Sequence, residues 1–243
     1  MLVKQENKNK WDSLYDPNKK KFIAKLEEQV KKWHFDKVFE NSILSISHVK
    51  NGKILEPGCG SATISLRLAK RGNDVTILDL SRNAILRALS IFDQENRSCS
   101  CTMGDLFHMP FKDGEFDLVF NQGVIEHFKL SGLDPSITIK EMLRVLGRNG
   151  SLIILAPAFL SPLHVVYSFL KFFNLVDKLW PFEKQEFLHK ETLYKIMIDG
   201  GCENVVVKRL WSSFLFTLVA YSKKTGLDDF QLKKIPFQGL SNS

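Results

Sequence analysis

A short apolar run ending in two closely spaced glycines carries the first chemical signal. Ile54-Leu55-Glu56 leads into Pro57-Gly58-Cys59-Gly60-Ser61-Ala62. Glycines at such a point let the backbone turn sharply and approach a ligand closely. Asp79 lies 19 residues beyond Gly60, at the end of a second apolar run, where a carboxylate suits the hydroxyls of a ribose. A turn of this kind also opens nicotinamide sites, but the third small position of the GxGxxG pattern falls on Thr63, which weakens that alternative. Cys59, Cys99, Cys101 and Cys202 form no CxxC pair and no disulfide framework. They read as free thiols of a reducing compartment, with no metal site.

The elements that must position these residues follow in the same order. SATISLRLAKRG is a helix stopped by Gly72, DVTILDL a strand, and SRNAILRALSIFDQ a helix capped by Ser81. SCSCTMGD and FDLVFNQG are further strands, SITIKEMLRVL a helix, and GSLIILAP an apolar strand. ETLYKIMIDGG, ENVVVKRLW and FLFTLVAYSKK close the series as a helix and an antiparallel strand pair. Strands apolar on both faces and alternating with helices imply a mostly parallel sheet covered on both sides. Ahead of them, residues 17–39 carry Phe22, Ile23, Leu26, Val30 and Trp33 at helical spacing.

Four more motifs decide the class. They are Gly104-Asp105-Leu106 with Pro110-Phe111, Phe116-Asp117-Leu118-Val119, Glu126-His127, and Arg144-Val145-Leu146 with Gly150. In this order, residues 50–158 resemble the class I S-adenosylmethionine-dependent methyltransferases, in their type 11/25-like small-molecule branch, with a looser match from Glu191 to Lys224. The resemblance implies a Rossmann-like α/β fold: a seven-stranded, mostly parallel sheet with helices on both faces and an antiparallel last strand. It also implies S-adenosylmethionine as cofactor. Glu56, Gly58, Cys59 and Gly60 would line its methionine and ribose, Asp79 would hold the ribose diol, and Leu80 would pack on adenine. Asp105 would accept the adenine amino group, the Leu106 backbone would read the ring edge, and Asn121 and Gln122 would end near the sulfonium. His127 is then the best-placed base, if the acceptor needs one. The family's usual glycine is replaced by Ala62, and its usual Pro-Gly by Arg148-Asn149-Gly150.

Residues 158–190 form an apolar, aromatic insertion where similar enzymes build the acceptor pocket. His164, Tyr167 and Phe173 are its candidate pocket residues. The resulting organisation is an N-terminal helical cover (1–45), a methyltransferase domain (46–225) with this lid, and a tail (226–243). At 243 residues, 44% hydrophobic and 25% charged, the chain has a globular composition. The net charge is +7, with ten lysines before residue 40. A basic end admits nucleic acid, but the apolar stripe between the lysines favours a cover over the cofactor cleft. Between Arg148 and Lys171 no charged residue occurs, a length able to span a bilayer. Its prolines and short strand argue against a span. The expectation is a cytoplasmic enzyme acting on a small hydrophobic or ring-containing acceptor, with membrane-surface contact and a homodimer left open. An RNA or protein methyltransferase, or a non-catalytic module keeping the cofactor fold, are the alternatives.

Overall fold

The computed structural model describes residues 9, 11–13, 15, 35–176, 185–210, 213 and 217–224. Helix α1 (Asp36–Ser47) precedes β1 (Lys53–Pro57), α2 (Thr63–Lys70), β2 (Asp74–Asp79), α3 (Arg82–Gln94) and β3 (Ser100–Met103). Then come β4 (Phe116–Gln122), two 3-10 turns, α4 (Pro135–Val145), β5 (Leu146–Pro157), α5 (Pro162–Phe172), α6 (Lys190–Asp199), β6 (Val206–Leu210) and β7 (Thr217–Lys223). The seven strands form one sheet in the order β3-β2-β1-β4-β5-β7-β6. β7 runs antiparallel to both its neighbours, and the remaining pairs are parallel.

The alternation of side chains along each strand builds two cores. Ile54, Ile77, Leu118, Phe120 and Ile153 face α1, α2 and α3, where they meet Ile43, Leu68 and Phe92. Leu55, Leu78, Val119, Leu152 and Ile154 face α4 and α6, where they meet Ile139, Met142, Leu193 and Met197. Burying each of these side chains contributes roughly 1.5–3 kcal/mol, so both faces are needed to hold the sheet. Ser81 caps α3 by accepting from the Ala84 N–H at 3.2 Å, as its position before the helix requires.

Two boundaries differ from the sequence reading. The helix expected over residues 17–39 lies mostly outside the described residues, and α1 continues to Ser47, because Phe39, Ile43 and Ile46 extend the apolar stripe into the core. β5 starts at Leu146, five residues before Ser151. Asn149 takes a left-handed φ of 64° there, and its N–H donates to the Lys224 carbonyl at 2.8 Å. That turn replaces the Pro-Gly of similar sequences, and asparagine is the side chain that tolerates it best after glycine.

Candidate functional site

The sheet changes direction of winding between β1 and β4, and the glycine turn sits on that seam. The Gly58 and Cys59 N–H groups both donate to the Leu78 carbonyl, at 2.7 and 3.1 Å, which ties the turn to the end of β2. Gly58 has a φ of +73°, and a Cβ there would lie 2.7 Å from Val124 Cγ2. Neither the conformation nor the space admits a side chain. Ala62, with a φ of 51°, opens α2 in the left-handed region that glycine enters most readily.

Acceptor oxygens converge on this turn. Asp79 is buried, with Oδ2 accepting from the Gly60 N–H at 2.9 Å and Oδ1 from the Ser81 N–H at 2.8 Å. Burial raises its pKa, against the pull of those donors. Glu56 accepts from Ser65 Oγ at 2.5 Å, and burial pushes its carboxyl up to about 8. Asn121 is fully buried and donates from Nδ2 to the Pro57 carbonyl at 2.5 Å. Its Oδ1 has no hydrogen-bond partner among the described residues. Leu80 and Gln122 are half-buried beside the strand ends. Asp105 is also half-buried, and its Oδ1 caps its own turn by accepting from the Phe107 N–H at 3.0 Å. Leu106 is buried in the core next to it.

N-terminal residues cross this end of the sheet. Asp12 Oδ1 accepts from Ser81 Oγ at 2.7 Å, and the Asp12 carbonyl accepts from Asn83 Nδ2 at 2.9 Å. Tyr15 places its hydroxyl where a Cβ of Gly60 would stand, and burial together with the Asp79 charge raises its pKa. Trp11 meets His127 edge to face, with ring centres 5.2 Å apart.

His127 is buried on the 3-10 turn Ile125–His127. It also lines a cleft of about 900 Å³ together with Phe159, His164, Tyr167, Phe187 and His189. Phe159 stacks on His189 at 3.8 Å and lies 4.5 Å from His164, centre to centre. The Leu160 N–H donates to His164 Nδ1 at 3.3 Å, and burial followed by the neighbouring His189 lowers the His164 pKa. Nδ1 accepts the Leu160 bond, so this nitrogen carries no proton. The excursion after β5 is tied back to the sheet, since the Phe159 N–H donates to Leu188 and the Leu188 N–H to Pro157, at 2.8 and 2.9 Å. Phe173 does not join the cleft; it packs on Phe169 and Phe172 at the outer side of α5.

The sequence reading did not single out Asp12, Ser65, Glu126 or His189 as site residues. Glu126 is fully buried, has an Oε2 without a partner among the described residues, and is pushed by burial up to about 8. Its place next to His127 was the available signal. The Trp-Asp-x-x-Tyr spacing at 11–15 was the signal for Asp12.

The donor and acceptor set tests which ligand fits. Two buried carboxyls and an orphaned buried amide oxygen, beside a turn with room for no side chain, suit a ligand rich in hydroxyl, amine and cationic groups. S-adenosylmethionine has these groups. Residues 55–154 match the family model described as a methyltransferase domain. An uncharacterized methyltransferase of Staphylococcus carnosus is 26% identical over 185 residues, covering 74% of this chain and 84% of its own length. A malonyl-[acyl-carrier protein] O-methyltransferase of Erwinia billingiae is 29% identical over 102 residues, covering 42% of this chain and only 37% of its own length. The magnesium protoporphyrin IX methyltransferase of Synechocystis, solved with bound SAH, superposes with a TM-score of 0.59 at 17% identity, over 89% of this chain and 93% of that one. It shares the fold. The matched stretch contains the glycine turn, Asp79, Asn121 and His127 in the order the sheet requires, and the chain thus carries a class I S-adenosylmethionine-dependent methyltransferase domain, an enzyme with S-adenosylmethionine as cofactor.

Proposed function

We propose that the chain transfers the methyl group to a small, apolar or ring-containing acceptor held in the cleft beside His127. One observation carries this reading: His127 lies under Trp11 at the cofactor end of the sheet and is also a wall of the aromatic cleft. The cofactor supplies a methyl group already activated as a sulfonium substituent. What remains for the protein is alignment and exclusion of water. Glu56, Asp79 and the Gly58–Gly60 backbone bind the methionine and ribose, with Asn121 Oδ1 facing the cationic part. Leu80, Asp105 and Leu106 hold the adenine. Trp11 and Tyr15 shield this end from solvent, and Phe159, Tyr167 and Phe187 orient the acceptor. His127 takes a proton where the acceptor atom must lose one. The described residues of this insertion, 158–176 and 185–190, act as the lid of this domain, and the free thiols suit a cytoplasmic setting.

The test is incubation of the protein with methyl-labelled S-adenosylmethionine and a fractionated cell extract. Label in the small-molecule fraction is expected, and Tyr167→Ser or Phe187→Ser should raise the acceptor's KM while cofactor affinity stays within about twofold, since neither ring touches the glycine turn. Label confined to RNA or protein would overturn the acceptor class.

A further inference from the structure

Helix α5 has two working faces. His164, Tyr167, Ser168 and Lys171, at i, i+3, i+4 and i+7, line the cleft. Val165, Val166, Phe169, Phe172 and Phe173 recur with the same helical spacing on the other side. Phe172 is 81% exposed, and the other four are each more than half exposed. Leu160, just ahead of the helix, is exposed as well. Among the described residues, nothing covers this face; its rings touch one another, with Phe169 on Phe173 at 4.8 Å and Phe172 on Phe173 at 5.0 Å. Leaving so much contiguous apolar surface in water is unfavourable, and a patch of this kind marks an interaction site.

Charge selects the occupant. From residue 149 to 176 the only formally charged residue is Lys171, and no acidic residue occurs there. The whole chain carries +7. A second copy seated on this face would bring a net +7 against +7. An anionic bilayer surface attracts that charge and accepts aromatic and branched apolar side chains at the level of its headgroups. At 11 residues, α5 is too short to cross a bilayer and suits lying along one. We propose that the outward face of α5 docks the protein on an anionic membrane surface.

The experiment is flotation of the full chain with vesicles of phosphatidylcholine alone and of equimolar phosphatidylcholine and phosphatidylglycerol. The protein is expected to float with the mixed vesicles, less so at high salt, and weakly with the neutral ones. Phe169→Glu and Phe172→Glu should each lower the bound fraction by about tenfold, the order expected when a side chain that inserts is replaced by a charge that anionic lipid repels. Both positions lie outside the cofactor and acceptor sites, so thermal melting and S-adenosylmethionine binding should stay at the parental level. Since neither readout needs methyl transfer, failure here is separable from failure of the acceptor reading. The inference falls if the parental chain stays unbound, or if binding survives both substitutions. A concentration-dependent dimer that both substitutions dissolve, in chains that do not float, would give the face to a second copy instead.

Discussion

Asp79 does two jobs at the scale of single residues in the proposed reading: it steadies the Gly60 turn through a 2.9 Å bond, and it is the carboxylate proposed to hold the cofactor. Asp79→Ala should therefore weaken S-adenosylmethionine binding by about 1.5–3 kcal/mol, the range for a hydrogen bond to a charged group, as read by calorimetry. Glu56 and Glu126 give a second prediction. Burial pushes both carboxyls up to about 8 from an ordinary value of 4.5, so the folded chain keeps protons that the unfolded chain has released. Their stabilising contribution is full below the ordinary carboxylate range and is lost as pH rises toward 8. The loss runs at up to about 1.4 kcal/mol per pH unit for each group. Melting followed by circular dichroism from about pH 5 to 8 should fall in the parental chain, and Glu126→Gln should flatten that fall. Asp79 and the glycines were legible in the sequence because their spacing follows from strand, turn and helix lengths. Glu126 was legible only as the neighbour of His127, because nothing else in the local sequence distinguishes a buried carboxyl from an exposed one.

Elements carry the specificity of place. Arg144 at the end of α4 reaches the 109–113 loop, donating to the Met109 and Phe111 carbonyls at 2.9 and 2.8 Å and pairing with Glu141 and Asp113. Replacing it with methionine should destabilise the chain by about 1–3 kcal/mol, mostly through the two orphaned carbonyls and little through its surface ion pairs. This is measurable by denaturant titration. The β5 turn gives a contrast of side chains at one site: Asn149→Gly should be nearly neutral, whereas Asn149→Val should cost about 1–2 kcal/mol because a branched Cβ opposes the left-handed φ. The α5 segment was the least legible element. Its sequence has no clean polar period, since one side lines a partly apolar cleft and the other exposes apolar residues, so neither face announces itself. For that reason Phe173, grouped with His164 and Tyr167 by sequence, stands on the outer side.

On the scale of the whole molecule, the parallel sheet and its two helical layers were legible because alternation and the strand-turn-helix rhythm are enforced along the entire chain. The antiparallel pairing of β6 and β7 was legible too, but its place in the sheet came from long-range register. β7 enters between β5 and β6, pairing Ser151–Pro157 with Thr217–Lys223. The consequence concerns biosynthesis. A nascent chain lacking Thr217–Lys223 has all of β5 and β6 yet cannot join them, because the strand between them has not left the ribosome. During that interval the edge of β5, whose residues Leu152–Ala156 are all buried in the finished fold, is open to pairing with other chains. The final strand of the sheet is thus a kinetic gate on maturation, and slow synthesis upstream of residue 217 should prolong dependence on chaperones.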